Sequence, residues 1–160
     1  MLQQQDRPEY YLFTVSGGRN ERERGEGIVR ALCEAKLWLA KPAIPNYARF
    51  RAGDRGVVYL ASREGGGFVA DVVLAGSLQE QNDGAAQLAQ RLELDRYTLH
   101  LPLSAARLWE KPVLIRAVLA RLEFIKNPRN YGPHVRRAAS RIPAADYQRI
   151  LAKAGFAEPV

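Results

Sequence analysis

The sequence predicts an α+β domain whose small sheet is strongly bent or barrel-like and carries helices on its rim. Short runs of β-branched and aromatic residues recur along the chain, few helical segments interrupt them, and a glycine-rich turn joins two neighbouring runs. The 160 residues, 47% of them hydrophobic, suffice for one compact core. We therefore expect one domain over residues 10–157, after a polar N-terminal tail over residues 1–9 that shows no apolar periodicity.

The first strand is predicted at "YYLFTVS" (10–16), and a charged, glycine-containing loop follows it. Apolar residues then recur at spacings of one, three and four on one face of a helix that we expect Pro42 and Pro45 to end: Ile28, Val29, Leu32, Cys33 and Leu37. In "EAKLWLAKPAIPNYARF" (34–50), this helix places Trp38 about 100° around from Leu37, at the edge of the apolar face. Such a position fits both a core residue and the wall of a pocket.

The middle of the chain predicts a β-hairpin, because the apolar runs 57–61 and 68–74 flank a glycine-rich turn. The polar segment 76–96 is helix-prone in its second half and is expected to pack only in part.

Two more strands are predicted at 97–103 and 113–124, joined by a loop that carries "SAARLWEKP". The last element is a helix that begins near Pro143 and stops at Gly155.

The charge of the chain favours polyanionic partners, since the net charge is +7 and the sequence pI about 9.9. Five of the 24 basic residues are lysine and 19 are arginine, the better residue for bidentate phosphate contacts. Codon bias in a GC-rich genome would also produce this excess of arginine over lysine, and both explanations stay open. With one cysteine, no signal-like N-terminus and no bilayer-spanning apolar run, the expected location is the cytoplasm.

No set of residues in the sequence points to catalysis. One cysteine and two distant histidines do not make a metal site, and Cys33 sits on an apolar helix face as a small buried residue would. "SREGGGF" lacks the lysine and serine or threonine of a phosphate-binding loop. We therefore expect no enzyme activity, no metal and no cofactor.

An ordered series of segments, "YYLFTVS", "LWLAKPAIPNYARFRAGDRGVVYLAS", "GGFVADVVLAG", "LEFIKN" and "RIPAADYQRIL", resembles the EVE family of PUA-like domains. EVE domains are related to the YTH readers of methylated adenine in RNA, and Trp38 stands where a YTH domain carries its first cage tryptophan. The resemblance implies a PUA-like pseudo-β-barrel of about five to six strands with flanking helices. It also implies binding of a modified base in DNA or RNA without chemistry.

A flipped base needs flat apolar walls and a few polar groups at its edge. If the fold is as the resemblance implies, Trp38 and Trp109 are expected to sandwich the base, with Tyr47, Phe68 or Tyr131 as a third side. Edge contacts are expected from short polar side chains, of which Ser16 is the first choice: Ser16, Asn20 and Asn46. An ordinary core position remains the alternative for either tryptophan.

Backbone contacts are expected chiefly from the basic stretch 127–141, where arginines alternate with an aromatic residue, although a solvated basic face is the alternative. The residues assigned to this role are Arg19, Arg22, Arg49, Arg129, His134, Arg136, Arg137 and Arg141. The first hypothesis is a monomeric reader of a methylated or hydroxymethylated base in DNA, such as 5-methylcytosine, that acts with a restriction or defence effector. The alternatives are a reader of a modified RNA base and a protein-interaction adaptor without a working pocket.

Overall fold

The computed structural model describes residues 7–16, 21–42, 49–62 and 65–160. The strands are β1 (Tyr10–Ser16), β2 (Leu37–Ala40), β3 (Arg55–Ala61), β4 (Gly67–Leu74), β5 (Gln79–Glu80), β6 (Leu99–Leu114) and β7 (Ala139–Ile142). The helices are α1 (Glu21–Ala35), α2 (Asp83–Arg91), α3 (Ile115–Val118), α4 (Gly132–Val135) and α5 (Ala144–Lys153), with 3₁₀ turns at Leu119–Arg121 and Pro128–Asn130. None of the helices in these ranges is both long and apolar enough to cross a bilayer.

The described strands form one curled sheet in the order β2-β6-β4-β3-β1-β7, and β5 pairs with β6 on the side opposite β2. β1 and β3 run parallel, whereas the other pairs are antiparallel. Three strands separate β2 from β1, yet the ring centroids of Trp38 and Phe13 lie 5.2 Å apart. The sheet therefore curls into a half-barrel, which confirms the predicted α+β pseudo-barrel with flanking helices.

The sheet separates two apolar clusters, because successive residues of a strand point to opposite faces. On β1, Phe13 faces an inner core that includes Trp38 of β2 and Val29 of α1. Leu12 faces an outer core that includes Tyr147 of α5. α1 thus fills the interior of the half-barrel, and α5 covers its outer surface.

The predicted hairpin is confirmed as β3 and β4, and the predicted C-terminal helix as α5. Pro143 is the N-cap of α5, and Gly155 just beyond the helix has a φ of 89°, a left-handed conformation that glycine adopts without strain. At the other end of the chain, the backbone N–H of Glu9 donates to buried Asp54 at 3.0 Å. Glu9, which the sequence assigned to the tail, is therefore held against the sheet.

The predicted end of the first helix is wrong, since α1 stops at Ala35, well before Pro42. Lys36 reverses the chain with a φ of 52°, and "LWLA" then pairs with β6, Trp38 lying opposite Leu101. The pairing offered by β6 outweighs the helical periodicity that runs through Leu37. Trp38 is consequently a strand residue on the edge of the sheet.

The predicted strand–loop–strand over 97–124 is also wrong, because β6 runs unbroken from Leu99 to Leu114 through "SAARLWEKP". Its pairing with β4 is interrupted by register shifts, which let a polar sequence stay within the sheet. Beyond β6, the buried residues Ile115, Val118 and Leu122 recur at spacings of three and four. That spacing belongs to helical turns, and it is the signal that the prediction of a strand here overlooked.

Candidate nucleic-acid interface

Two cavities meet at the C-terminal end of β1, and Thr14 and Ser16 line both of them. We call the cavity beside Trp38 the Trp38 pocket, and the cavity lined by Arg116, Arg129 and Arg136 the arginine cleft. The Trp38 pocket opens where the two edges of the half-barrel approach each other, since its walls include β2 and Ala138, the residue before β7. The arginine cleft adjoins it and is bounded by β3 and by the segment 129–136.

The Trp38 pocket has a volume of about 100 Å³. That is room for several water molecules, since one needs roughly 10–15 Å³ of such space. Most of its lining is apolar, with polar groups at one side, the composition typical of a small-ligand site. The lining residues are Thr14, Val15, Ser16, Ile28, Leu32, Trp38, Leu39, Ala40, Lys41, Leu94, Tyr97 and Ala138.

Trp38 is both a core residue and a wall of this pocket. Its side chain is only 4% exposed, and its ring packs against Phe13 in the inner core. The edge strand β2 carries the indole to the seam of the half-barrel, where Ile28 and Leu32 of α1 complete the apolar wall. The two interpretations that the sequence left open for Trp38 therefore describe the same residue.

Tyr97 is a second aromatic residue of the pocket that the sequence analysis missed. Glu93, with a φ of 58°, turns the chain after α2, and the N–H of Leu94 then donates to Ala89 at 2.8 Å. This turn brings Leu94 and Tyr97 to the pocket, and Lys41 Nζ lies 5.0 Å from the Tyr97 ring centroid. The sequence interpretation placed Tyr97 in a strand, which begins two residues later at Leu99.

The arginine cleft is larger, with a volume of about 610 Å³. Arg116 comes from α3, Arg129 from the 3₁₀ turn, and Arg136 from the end of α4. The Thr14 hydroxyl donates to the Val135 carbonyl at 2.6 Å and so fastens α4 to the end of β1. A Cβ at Gly132 would lie 3.5 Å from Arg136 Nε, so the guanidinium packs closely against this glycine.

The three cleft arginines differ from other arginines of the fold in lacking carboxylate partners. Arg107 pairs with Asp71 at 2.9 Å, and Arg141 pairs with Glu9 at 2.8 Å. Arg116, Arg129 and Arg136 form no ion pair with any carboxylate in the described part of the chain. Like charges that converge without compensation repel each other, and a bound anion relieves that repulsion.

Tyr59 closes the floor of the cleft beside Tyr131. Burial, and to a lesser degree the neighbouring Tyr131, raises the pKa of Tyr59 to about 12, while the Gly66 backbone and Arg136 act in the opposite direction. The phenol therefore stays neutral at physiological pH and keeps an O–H group. The floor of the cleft is polar and aromatic but carries no negative charge of its own.

The predicted sandwich of Trp38 and Trp109 is wrong, because the two tryptophans lie in different cores on opposite faces of the sheet. The Trp109 indole N–H donates to buried Asp71 at 2.8 Å, and its ring packs against Phe156. Phe68, predicted as a third wall, is fully buried in the outer core against Tyr59. Neither Trp109 nor Phe68 lines the Trp38 pocket.

Tyr131, another predicted third wall, lies in the arginine cleft together with two of the predicted backbone residues, Arg129 and Arg136. His134 lies within the same segment and Arg137 directly follows it, but neither lines the cleft. Arg141 lies apart on β7, and Arg49 is exposed before β3, where its carbonyl accepts from the Tyr11 hydroxyl at 3.5 Å. Arg19, Asn20, Asn46, Tyr47 and the Arg22 side chain fall outside the described residues.

The cysteine and the histidine of β6 lie in the body of the fold and line neither cavity. Burial, as the largest cause, raises the pKa of Cys33 to about 11, so its thiol stays protonated at neutral pH and is a poor nucleophile. His100 is buried within β6. Among the described residues, no three side chains of histidine, cysteine, aspartate or glutamate form a cluster able to hold a metal ion.

The fold is similar to those of several solved structures. The YTH domain of Zygosaccharomyces rouxii MRB1 protein, in complex with N6-methyladenosine RNA, matches with a TM-score of 0.61 at 15% identity, over 96% of this chain and 91% of that one. Human THYN1, in complex with 5-methylcytosine-containing DNA, matches with a TM-score of 0.58 at 9% identity, over 94% and 99%. A hypothetical protein from Leishmania major gives a TM-score of 0.59 at 13% identity, over 94% and 96%. No protein-family model and no curated protein sequence matches the chain.

These similarities identify the fold of the chain. The chain has the PUA-like α+β fold shared by the YTH domain and THYN1, as the resemblance implied. Identities of 15% and below support the shared fold, and the argument for a function depends on the residues of the two cavities described above.

Proposed function

We propose that this protein is a non-catalytic nucleic-acid-binding module that reads a modified base, held out of its strand in the Trp38 pocket. One observation carries the proposal: an apolar pocket with an aromatic wall adjoins a cleft of three arginines that lack carboxylate partners in the described chain. The pocket supplies the aromatic wall and the polar groups that a flipped base requires, and the cleft supplies the positive charge that its phosphates require. The fold neighbours in complex with N6-methyladenosine RNA and 5-methylcytosine DNA support this assignment.

The energy of base capture comes mainly from the aromatic walls. Stacking a base on one aromatic side chain is worth about 1–3 kcal/mol, and turning a base out of a duplex costs a few kcal/mol. Trp38 and Tyr97 line the same pocket. If both contact the base, they offset much of the extrusion cost, and a base in a single-stranded or mismatched site is captured more readily.

Selectivity for the modified base comes mainly from a hydrogen bond that the unmodified base cannot make in the pocket. Burying one methyl group contributes only about 0.8 kcal/mol, less than fivefold in affinity. Leaving an amino hydrogen of the unmodified base without a partner against the apolar wall costs about 1–3 kcal/mol more. Ser16 would pair with the rest of the base edge, and Thr14, whose hydroxyl already donates to the Val135 carbonyl, would serve there as an acceptor.

The arginine cleft supplies affinity that does not depend on sequence. Each phosphate that it neutralises should add about 0.7–0.9 to the negative slope of log affinity against log salt concentration. Replacing Arg116, Arg129 and Arg136 together by glutamine should therefore flatten that slope by about 0.7–0.9 for each phosphate that they hold, and should weaken modified and unmodified strands alike.

DNA carrying a methylated or hydroxymethylated cytosine is the first substrate we propose, and a modified base in RNA is the second. A titration with matched oligonucleotides tests both: unmodified cytosine and adenine, their methylated forms and hydroxymethylcytosine, each in DNA and RNA at two salt concentrations. We expect a preference of at least tenfold for one modified base. Equal affinity for all of them would sink the reader hypothesis and leave a general polyanion binder or an adaptor.

Two substitutions connect the preference to the pocket. Tyr97→Leu removes a half-buried wall and should reduce the preference while the domain stays folded, as circular dichroism will report. Trp38→Phe keeps an aromatic ring in the inner core and should weaken modified-base binding through its smaller stacking surface. Trp109→Phe is the matched control, since Trp109 lines neither cavity.

A further inference from the structure

We infer that the arginine cleft is a second nucleotide subsite, which takes the base next to the modified one on Tyr131 and its phosphate on the arginines. The inference rests on the proposed function and adds to it: the protein would read two adjacent nucleotides. The cleft volume of about 610 Å³ lies within the roughly 300–1,000 Å³ of pockets that enclose whole small molecules. A phosphate alone would leave most of that space empty.

Tyr131 is held ready to stack a base. It is half-buried at the joint between the 3₁₀ turn Pro128–Asn130 and α4. Before it, the Asn127 side chain accepts from the Arg129 N–H at 3.2 Å, and after it the His134 N–H donates to the Tyr131 carbonyl at 2.9 Å. Because both flanks are fixed, the backbone that carries Tyr131 loses little conformational freedom when a base stacks on its ring.

Asn130 offers the means to read that base. Its side chain is exposed, lines the cleft and makes no hydrogen bond to any other residue in the described ranges. An amide carries both donors and an acceptor, so it can pair with two atoms of one base edge. The buried Tyr59 hydroxyl adds a neutral polar group at the floor.

The two cavities are close enough for consecutive nucleotides. Thr14 and Ser16 line both of them, so the cavities adjoin at the end of β1, the pocket on the inner face of the sheet and the cleft on the outer face. A nucleic-acid strand that places its modified base beside Trp38 would pass the end of β1 and meet the cleft at a neighbouring nucleotide. The charge in the cleft is also uncompensated by described carboxylates, so the phosphate between the two bases meets arginines that are not already paired.

Abasic sites test the subsite directly. The probes are oligonucleotides with one modified base and an abasic site immediately 5′ or immediately 3′ of it, which removes one flanking base and keeps every phosphate. On the side that faces the cleft, the abasic site should weaken binding about five- to 150-fold, the worth of one base stacked on an aromatic side chain. Tyr131→Leu should weaken binding of the intact probe by a similar factor, and the abasic site should then cause no further loss of affinity. Tyr131→Phe should keep the affinity for the intact probe and the loss caused by the abasic site.

The outcomes separate the subsite from the proposed function. If abasic sites on both sides leave the affinity unchanged while the preference for the modified base persists, the subsite inference is wrong and the reader function stands. If the abasic effect appears but modified and unmodified probes bind equally, the reader function is wrong and the cleft remains a nucleotide site. Thermal melting of Tyr131→Leu and Asn130→Ala shows whether a loss of affinity comes from folded protein. Asn130→Ala should also make the affinities for probes with each of the four flanking bases equal.

Discussion

Replacing Trp109 with phenylalanine should destabilise the domain and leave nucleic-acid binding intact. The Trp109 indole N–H donates at 2.8 Å to Asp71, a carboxylate with no exposed surface. The same carboxylate accepts two hydrogen bonds from Arg107, at 2.9 and 3.0 Å, and one from the Val160 N–H at 3.0 Å. Trp109 therefore completes the pairing of a buried charge, a role that phenylalanine cannot take.

The expected loss follows from this geometry. A hydrogen bond to a charged group contributes about 1.5–3 kcal/mol, and Asp71 keeps three of its four donors, so we expect about 2 kcal/mol. For a chain of this size, that loss lowers Tm by about 4–8 °C. With a urea m value of about 2 kcal/mol/M, it lowers the unfolding midpoint by about 1 M.

Urea unfolding followed by circular dichroism measures the loss, and oligonucleotide titration measures binding. Trp38 is then the only tryptophan left, so its fluorescence reports on the pocket alone. A double-mutant cycle with Asp71→Asn should show the two substitutions to be non-additive, because they remove the same interaction. Unchanged stability together with a weakened preference for the modified base would refute this reasoning and restore Trp109 to the binding site.

Three further predictions concern stability. Gly27→Ala should raise the free energy of unfolding by about 0.5–1 kcal/mol in urea melts, because Gly27 is exposed in the middle of α1 and its new Cβ meets no atom within 4 Å. Gly66→Ala should lower it by several kcal/mol in the same melts, since its Cβ would lie 2.1 Å from the Tyr59 hydroxyl and 2.7 Å from a backbone oxygen; a fold that tolerates it would contradict the packing described here. The third prediction concerns stability at alkaline pH. The fold raises the pKa of Tyr59 from 10.0 to about 12, so the neutral phenol contributes fully to the free energy of unfolding below pH 10. That contribution is lost between pH 10 and 12, at up to about 1.4 kcal/mol per pH unit. Tyr59→Phe should flatten the fall in Tm over that window, and an unchanged slope would contradict the assignment.

The elements that the sequence predicts well are those whose signals are local. β3 and β4 are apolar runs on either side of a glycine turn, and α5 has proline at its start and glycine at its stop. The type of each element follows from a few consecutive residues, whichever neighbours it later meets. The fold class follows because these elements, in this order, build a bent sheet.

The errors arise where a partner decides the structure. Leu37 fits the helical face of α1, but β6 offers "LWLA" a ladder of hydrogen bonds, and the chain takes the strand. The polar middle of β6 resembles a loop, yet β4 pairs with it across register shifts. No window of the sequence contains both partners, so periodicity alone cannot decide between these outcomes.

The charges of the arginine cleft also depend on partners that the local sequence does not reveal. The sequence counts 19 arginines and predicts a polyanion partner, but it cannot say which of them are already neutralised. Asp71 holds Arg107, and Glu9 holds Arg141, each across a long sequence distance. Only the fold reveals that Arg116, which the sequence did not single out, shares a cleft with Arg129 and Arg136.

The location of the pocket follows from the incomplete closure of the sheet. β1 pairs with β3 along its whole length and with β7 from Tyr10 to Phe13, so over those four residues it has no hydrogen bonds left to offer β2 when the half-barrel curls round. Trp38 of the edge strand β2 packs against Phe13 of β1 across the interior, and the Trp38 pocket lies at the end of β1, between β2 and Ala138. A fully closed barrel would fill this space with backbone pairing. The seam therefore makes Trp38, an aromatic residue of the inner core, a wall of the pocket as well.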